Sequence, residues 1–250
     1  MKNLFLMKKI SLLCAVLFSL VISSNAQSDL LKSAEKAVSG GHSNKGAGLS
    51  SDEIVSGLKE ALTLGTQKSA GKLSAADGFF KDAVVKILLP PEAQKAEKTL
   101  RSVGMGSLVD DAILSMNRAA EDASKSAAPI FVDAVKNMSI TDALGILRGT
   151  DTAATSYLKK TTTPKLTSSF KPVIDASLQK TDATKYWKAV FDAYNGLPTT
   201  FKKVDSDLSS YVTQRALSGV FYYIAQEEAK IRKDPAAQAT DLLKKVFGGK

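Results

Sequence analysis

The apolar residues of this chain recur at helical spacing over most of its length after Leu49. Ser50 and Glu53 form a capping box, which predicts a helix that begins there and buries Ile54, Leu58 and Leu62 on one face. Pro90 and Pro91 predict the start of a further helix that runs through Val103 and closes at Gly104, since proline is typical of a helix start and glycine of its end. Between these two helices, the β-branched and aromatic residues of 79–89 could form a short strand or extended segment that ends at Pro90, but a short helix or an irregular segment is favoured.

The two longest apolar patterns predict two long central helices. The first extends from Ser107 to about Met138 along an alanine-rich face, with a kink at Pro129. The second extends from about Ser206 to Lys233 and is apolar over more than half of its circumference.

Shorter helices are predicted around these two. Ser139 and Asp142 cap one that ends at Gly149, and Thr150 or Asp151 caps the next, which runs to about Thr162. The others start at Pro164 with a break or bend at Pro172, at Asp182, and at Thr240 with an end at Phe247. The sequence therefore predicts an all-α fold, with one multi-helix domain over residues 49–250.

The residues before this domain have the features of a targeting segment. Lysines at 2, 8 and 9 precede an uncharged apolar run over residues 10–22, which is too short to span a bilayer comfortably. Small residues at Ser24 and Ala26 predict cleavage after Ala26. We therefore expect a signal peptide over residues 1–26, a flexible glycine-containing linker within residues 27–48, a periplasmic location, and no transmembrane segment in the mature chain.

Composition excludes several kinds of site. The chain has one cysteine, inside the apolar run, and one histidine, His42, inside the linker, so we expect no Cys/His metal site, no disulfide and no histidine-dependent catalysis. No glycine-rich phosphate loop follows a strand. We predict no cofactor, no metal and no identifiable catalytic residue.

The charge is basic but dispersed. Removal of the signal peptide lowers the net charge from +9 to about +6. The five arginines are scattered, without the basic clusters and interleaved aromatics of nucleic-acid readers, so we expect no nucleic-acid partner. An envelope protein or a lipid is the candidate partner.

Polar residues on the two long helices form a candidate buried cluster. A helical wheel of residues 206–233 places Arg215, Gln226 and Glu227 inside or beside the apolar arc, and Gln214, Glu228 and Arg232 on the polar side. Asn117 and Glu121, one turn apart on the other long helix, are candidate partners, because a buried charge needs a partner. Such a cluster either fixes the register of two helices or binds a ligand. Residues 117–122 could also hold a cation or act as acid and base, although Arg118 and Asp122 have the spacing of an ordinary surface ion pair.

Four aromatic residues form a second cluster, interpreted as either core or an apolar ligand site: Tyr186, Trp187, Phe191 and Tyr194.

Several sequence strings resemble a family of exported bacterial proteins known as domain of unknown function 4197. They are Asn117-Arg118-Ala119-Ala120-Glu121, residues 140–143, 146–149, 153–158, 211–213 and 227–228, and residues 231–235 and 240–248. The resemblance covers about Leu49 to Gly248 and implies an exported, mostly helical bacterial protein. It implies no reaction, cofactor or site. Three hypotheses follow, in this order: a non-enzymatic binding protein of the cell envelope, a carrier of a lipid or other apolar ligand, and a carboxylate-dependent hydrolase.

Overall fold

The computed structural model describes residues 50–180, 207–238 and 240–247, together with residues 184, 187, 188 and 192. The described chain folds into helices and contains no strand, which confirms the predicted all-α domain. Short 3₁₀ turns at Pro91–Ala93 and Pro235–Ala237 precede two of the helices. The α-helices are α1 (Ser51–Ser74), α2 (Gln94–Ser102), α3 (Gly106–Ser124), α4 (Ala127–Lys136), α5 (Ile140–Arg148), α6 (Ala153–Lys180), α7 (Leu208–Lys233) and α8 (Asp241–Phe247).

Two helix starts are set by the capping boxes that the sequence predicts. The Ser50 hydroxyl accepts a hydrogen bond from the Glu53 amide at 3.2 Å, and the Glu53 carboxylate accepts one from the Ser50 amide at 2.9 Å. Ser139 and Asp142 make the same pair of bonds at the start of α5. Each box satisfies amide groups that the first helical turn leaves without a partner.

The predicted helix from Ser107 to Met138 is two helices, α3 and α4, so the prediction of one kinked helix was wrong. Lys125 and Ser126 form the turn between them, and their amides donate hydrogen bonds to the carbonyls of Asp122 and Ala123. Pro129 lies in the first turn of α4, where its missing amide hydrogen costs no helical bond. The proline therefore belongs to a helix start and not to a kink.

The opposite correction applies to α6, which is one helix of 28 residues that contains Pro164 and Pro172. Both prolines are exposed, so the lost hydrogen bonds fall on the solvent side. The opposite face is buried at four-residue intervals, at Leu158, Thr162, Leu166, Phe170, Ile174 and Leu178. Burial of this row against the core stabilises the continuous helix.

The core lies where α7 packs against α1, α3 and α6, and where α6 packs in turn against α3 and α4. Helix α8 lies on α1 at Gly57, where an added Cβ would come within 2.9 Å of the Val246 side chain. Helix α2 contacts α3 and contains no buried residue. None of the described helices has an apolar stretch long enough to cross a membrane.

The 75–90 segment, which joins α1 to the turn before α2, is irregular and runs along both α3 and α7. The structure shows turns followed by chain without regular secondary structure, which confirms the favoured alternative of an irregular segment. The side chains of Phe79 and Ile87 are fully buried. Because this segment lacks the bonding pattern of a helix, its backbone groups need other partners.

Candidate functional site

Asn117 of α3 supplies hydrogen-bond partners for the backbone of the 75–90 segment. Its side chain is fully buried, its Oδ1 accepts a hydrogen bond from the Ile87 amide at 2.8 Å, and its Nδ2 donates to the Ile87 carbonyl at 2.8 Å. Nδ2 also donates to the Ile113 carbonyl on its own helix at 2.7 Å. A single carboxamide thus pairs with both backbone groups of Ile87, as a neighbouring strand would.

Glu121, one helical turn after Asn117, holds the start of the same segment. Its Oε1 accepts hydrogen bonds from the Phe79 and Phe80 amides, both at 3.1 Å. Its Oε2 accepts one from Arg118 at 2.6 Å, and the other end of that guanidinium donates to Asp77 at 2.6 Å. Both carboxylate oxygens of this buried residue are therefore bonded, which is what burial of a charge requires.

The chain turns sharply just before those amides. Asp77 adopts a left-handed backbone conformation with φ of 68°. A Cβ at Gly78 would lie 2.4 Å from the Lys72 carbonyl oxygen, so only glycine fits there. This turn points the Phe79 and Phe80 amides towards the carboxylate of Glu121.

Asp82, itself part of the 75–90 segment, stabilises the middle of that segment through hydrogen bonds. It accepts hydrogen bonds from the Val84 and Val85 amides at 3.0 and 3.2 Å, from Lys72 at 3.2 Å, and from the Tyr223 hydroxyl of α7. Partial burial raises the pKa of this carboxyl, but the bonds from Tyr223 and the two amides outweigh it and lower the pKa to about 2. Burial and the bond to Asp82 raise the pKa of the Tyr223 hydroxyl above its usual value.

Glu227 is buried, as predicted, and its partners are two lysines. Lys68 of α1 lies 2.9 Å from Oε2 and Lys230 lies 3.2 Å from Oε1. Burial raises the pKa of Glu227, and the hydrogen bonds from these lysines more than offset that and lower it. Both lysine side chains are largely exposed, so the pair lies at the edge of the core.

The neighbouring Glu228, placed on the polar side by the helical wheel, is the centre of a more deeply buried ion pair. Its partner Arg232 lies 2.9 Å away, and the two side chains are only 4% and 9% exposed. Glu228 also accepts hydrogen bonds from the Ala154 and Thr155 amides at 3.0 and 2.8 Å, and Arg232 donates to the Ile146 carbonyl at 2.9 Å. The carboxylate therefore caps the start of α6, and the guanidinium caps the end of α5.

Arg215 and Gln226 are exposed, so their predicted burial was wrong. At 100° per residue both lie almost opposite Ile224, whose side chain is buried in the core. The expected pairing of Arg215 with Glu121 is therefore replaced by the bond from Arg118. Asp122 instead binds Lys125 and Ser177, at 2.8 and 3.1 Å, and within the described residues it forms no ion pair with Arg118.

The five residues predicted as one cluster thus occupy three places: Asn117 and Glu121 at the 75–90 segment, Glu227 beside Lys68, and Arg215 and Gln226 at the surface. Glu228, Arg232, Asp82 and Tyr223 were not among the predicted site residues. The four-residue spacing of Glu228 and Arg232 was a usable signal, since such pairs meet on a helix. Nothing in the sequence indicated that Tyr223 and Asp82 meet.

Of the predicted aromatic cluster, only Trp187 is among the described residues. It is buried and stacks on Tyr211 of α7, with ring centroids 6.0 Å apart. Tyr186, Phe191 and Tyr194 lie outside the described residues, as do the predicted signal peptide and linker.

The buried carboxylates of the described chain serve the backbone and its neighbouring cations. Glu121 and Glu228 each bind two consecutive backbone amides and one guanidinium. Within the described ranges, no three His, Cys, Asp or Glu residues are grouped so that they could hold a metal ion. The arrangement fixes chain segments in place.

The sequence profile of a family described as protein of unknown function (DUF4197) matches residues 48–248, and the chain belongs to that family. No curated protein matches the chain. No solved structure matches it either.

Proposed function

We propose that this member of the DUF4197 family is a non-enzymatic exported protein that binds a partner in the cell envelope. The observation that carries the proposal is the bonding of Glu121 and Glu228, each of which uses both carboxylate oxygens for backbone amides and a guanidinium. A general acid or base must present an oxygen to its substrate, whereas both oxygens of Glu121 and of Glu227, the two carboxylates that the hydrolase hypothesis would use, are already bonded to groups of the protein. This favours binding over the carboxylate-dependent hydrolase.

Export is supported by the lysines at 2, 8 and 9, the apolar run over residues 10–22 and the small residues at Ser24 and Ala26. The expected mature chain begins at Gln27. Fractionation of a bacterium that expresses the full chain, followed by N-terminal sequencing, tests this part. An uncleaved chain in the cytoplasm would contradict export.

Native mass spectrometry of the mature protein tests the binding part. Cells are treated briefly with formaldehyde before gentle purification from the periplasm, and the masses are compared with that of the bare chain. We expect an added polypeptide mass that is lost when the cross-links are reversed. An added small apolar molecule would instead support the carrier hypothesis, and turnover of an envelope substrate that is lost in Glu121→Gln would support the hydrolase.

A further inference from the structure

One surface of the described domain combines exposed apolar and aromatic side chains with an arginine. Val84 and Leu88 of the 75–90 segment are 57% and 54% exposed, and Tyr222 of α7 is 38% exposed. Arg215 of α7 is exposed as well. We call these four residues the 84–222 surface.

The 75–90 segment runs along one row of α7 that contains Arg215, and Tyr222, seven residues after Arg215, lies two helical turns further along nearly the same side of α7. Tyr211, Arg215, Gly219 and Tyr223 follow one another at four-residue spacing, which places them along the same side of a helix. The Tyr211 hydroxyl donates to the Leu88 carbonyl at 2.7 Å. A Cβ at Gly219 would lie 3.2 Å from Val85, and Tyr223 binds Asp82. Arg215 lies between these contacts and therefore beside the stretch that contains Val84 and Leu88.

The backbone beneath this surface is held on two sides. Asn117 binds both backbone groups of Ile87, and Asp82 binds the Val84 and Val85 amides. Val84 and Leu88 are therefore presented at fixed positions although they lie outside any helix. A surface ordered before binding loses less conformational entropy when a partner arrives.

The charges around the surface indicate the chemistry of the partner. The nearby carboxylates Asp77 and Asp82 already bind Lys81, Arg118 and Lys72. Lys86 lies over the Phe80 ring, 4.3 Å from its centroid. Lys86 also lies close enough to Asp110 to help lower the pKa of that carboxyl, whereas no carboxylate of the described chain forms an ion pair with Arg215. The surface therefore has a surplus of positive charge next to its apolar residues.

We propose that the 84–222 surface binds an acidic, partly apolar segment of another polypeptide, whose carboxylate pairs with Arg215 and whose apolar side chains cover Val84 and Leu88. Aromatic residues and arginine are the types enriched where protein interfaces gain most of their affinity. The inference rests on the proposed binding function and assigns it a location and a class of partner.

Photo-cross-linking tests the location. Benzoylphenylalanine is placed at position 84 or 88 of the full chain in a bacterium that encodes it, and at Ile140 as a control that is equally exposed, at 53%, at the start of α5. We expect a discrete polypeptide adduct from 84 and 88 and none from 140. Adducts only from 140 would overturn this surface but leave the binding function intact, whereas the absence of adducts from all three positions would count against both.

The chemistry is tested by mapping the adduct and by reversing the charge. The cross-linked partner peptide should contain Asp or Glu next to apolar residues, and a lipid adduct or a peptide without acidic residues would overturn the proposal. Arg215→Glu should lower the adduct yield from position 88 about tenfold, the effect of losing one good charge pair. Arg148→Glu, a reversal at another exposed arginine, should leave the yield unchanged. Equal loss in both variants would also overturn it. Thermal unfolding of Arg215→Glu should match that of the unaltered chain, because the position is exposed. Arg148→Glu should unfold at the same or a slightly lower temperature, because Arg148 lies in the last turn of α5.

Discussion

Two buried carboxylates form the same kinds of hydrogen bonds but connect different parts of the molecule. Glu228 of α7 and Glu121 of α3 each accept hydrogen bonds from two consecutive backbone amides and from a guanidinium. Glu228 binds the first turn of a helix whose remaining bonds are internal, and its partner Arg232 is 9% exposed. Glu121 binds a segment of isolated turns that does not form a regular helix, and its partner Arg118 is 40% exposed.

This difference predicts how much of the domain would be destabilised by loss of each carboxylate. Glu228 and Arg232 join α5, α6 and α7, so their pair is a junction of three helices, two of which, α6 and α7, pack against each other in the core. Glu121 and Asn117 join α3 to the 75–90 segment alone. We therefore expect loss of Glu228 to lower global stability and loss of Glu121 to act locally.

The largest expected effect is that of Glu228→Ala. Removal of the carboxylate leaves Arg232 and the Ala154 and Thr155 amides buried without it, and breaking a buried pair in this way costs about 3–5 kcal/mol. Urea unfolding monitored by circular dichroism measures the loss. A loss below about 1 kcal/mol would show that the junction is dispensable.

Glu121→Ala should cost less, about 2–3 kcal/mol, because two amides lose their acceptor near a half-exposed arginine. Native-state hydrogen exchange should show faster exchange at Phe79 and Phe80, while the amides in the middle of α6 and α7 keep their protection. Uniformly faster exchange throughout the domain would contradict the local character of this site.

Acid should loosen the same segment through Asp82. Its pKa in the folded protein is about 2, below the ordinary value of 3.8, so the charged form stabilises the fold at pH above about 4. As the pH falls from about 4 to 2, we expect a loss of about 2 kcal/mol from this group. Unfolding free energies of the unaltered chain and of Asp82→Asn should converge over this range. A constant difference between them would assign the stabilisation to another group.

The smallest effect is expected for Glu227→Gln, which removes the charge at the position next to Glu228 and keeps a polar side chain of the same length. The partners of Glu227 are two largely exposed lysines, and such pairs contribute below about 1 kcal/mol. The same urea unfolding measurement applies. If Glu227→Gln lowered the free energy of unfolding as much as Glu228→Ala, the lysine pairs of Glu227 would be as important for stability as the pair of Glu228 and Arg232, and the proposed difference between the two sites would be wrong.

Local signals predicted much of the fold. The capping boxes at Ser50 and Ser139 depend on residues three positions apart, and α7 buries the face that its apolar pattern indicates. The prolines were misread because their effect depends on position: Pro129 lies in a first turn, and Pro164 and Pro172 lie on a solvent face. Tertiary burial decides those cases, and a sequence window does not contain it.

The candidate site was predicted less well because side-chain partners are set by contacts remote in sequence. Burial of Asn117, Glu121 and Glu227 was predicted, but Asn117 and Glu121 bind the irregular segment and not α7. Glu228 was placed on the polar side because a helical wheel assumes one apolar direction. Helix α7 is covered from several directions, by α1, α3, α6 and the 75–90 segment, so the boundary of its polar side cannot be read from its own residues.

The long reach of the contacts around the 75–90 segment bears on the order in which a newly synthesised chain can fold. The segment meets Asn117 after 30 further residues, but its contacts with Tyr211 and Tyr223 join positions 123 and 141 residues apart. Because synthesis proceeds from the N-terminus, a nascent chain that ends before α7 can hold the segment on the α3 side only. Phe79 and Val85 pack against Gly219 of α7 in the folded protein. Their side chains therefore stay partly exposed until most of the protein has been synthesised. Truncated or stalled chains should therefore be recognised by chaperones and proteases at this stretch.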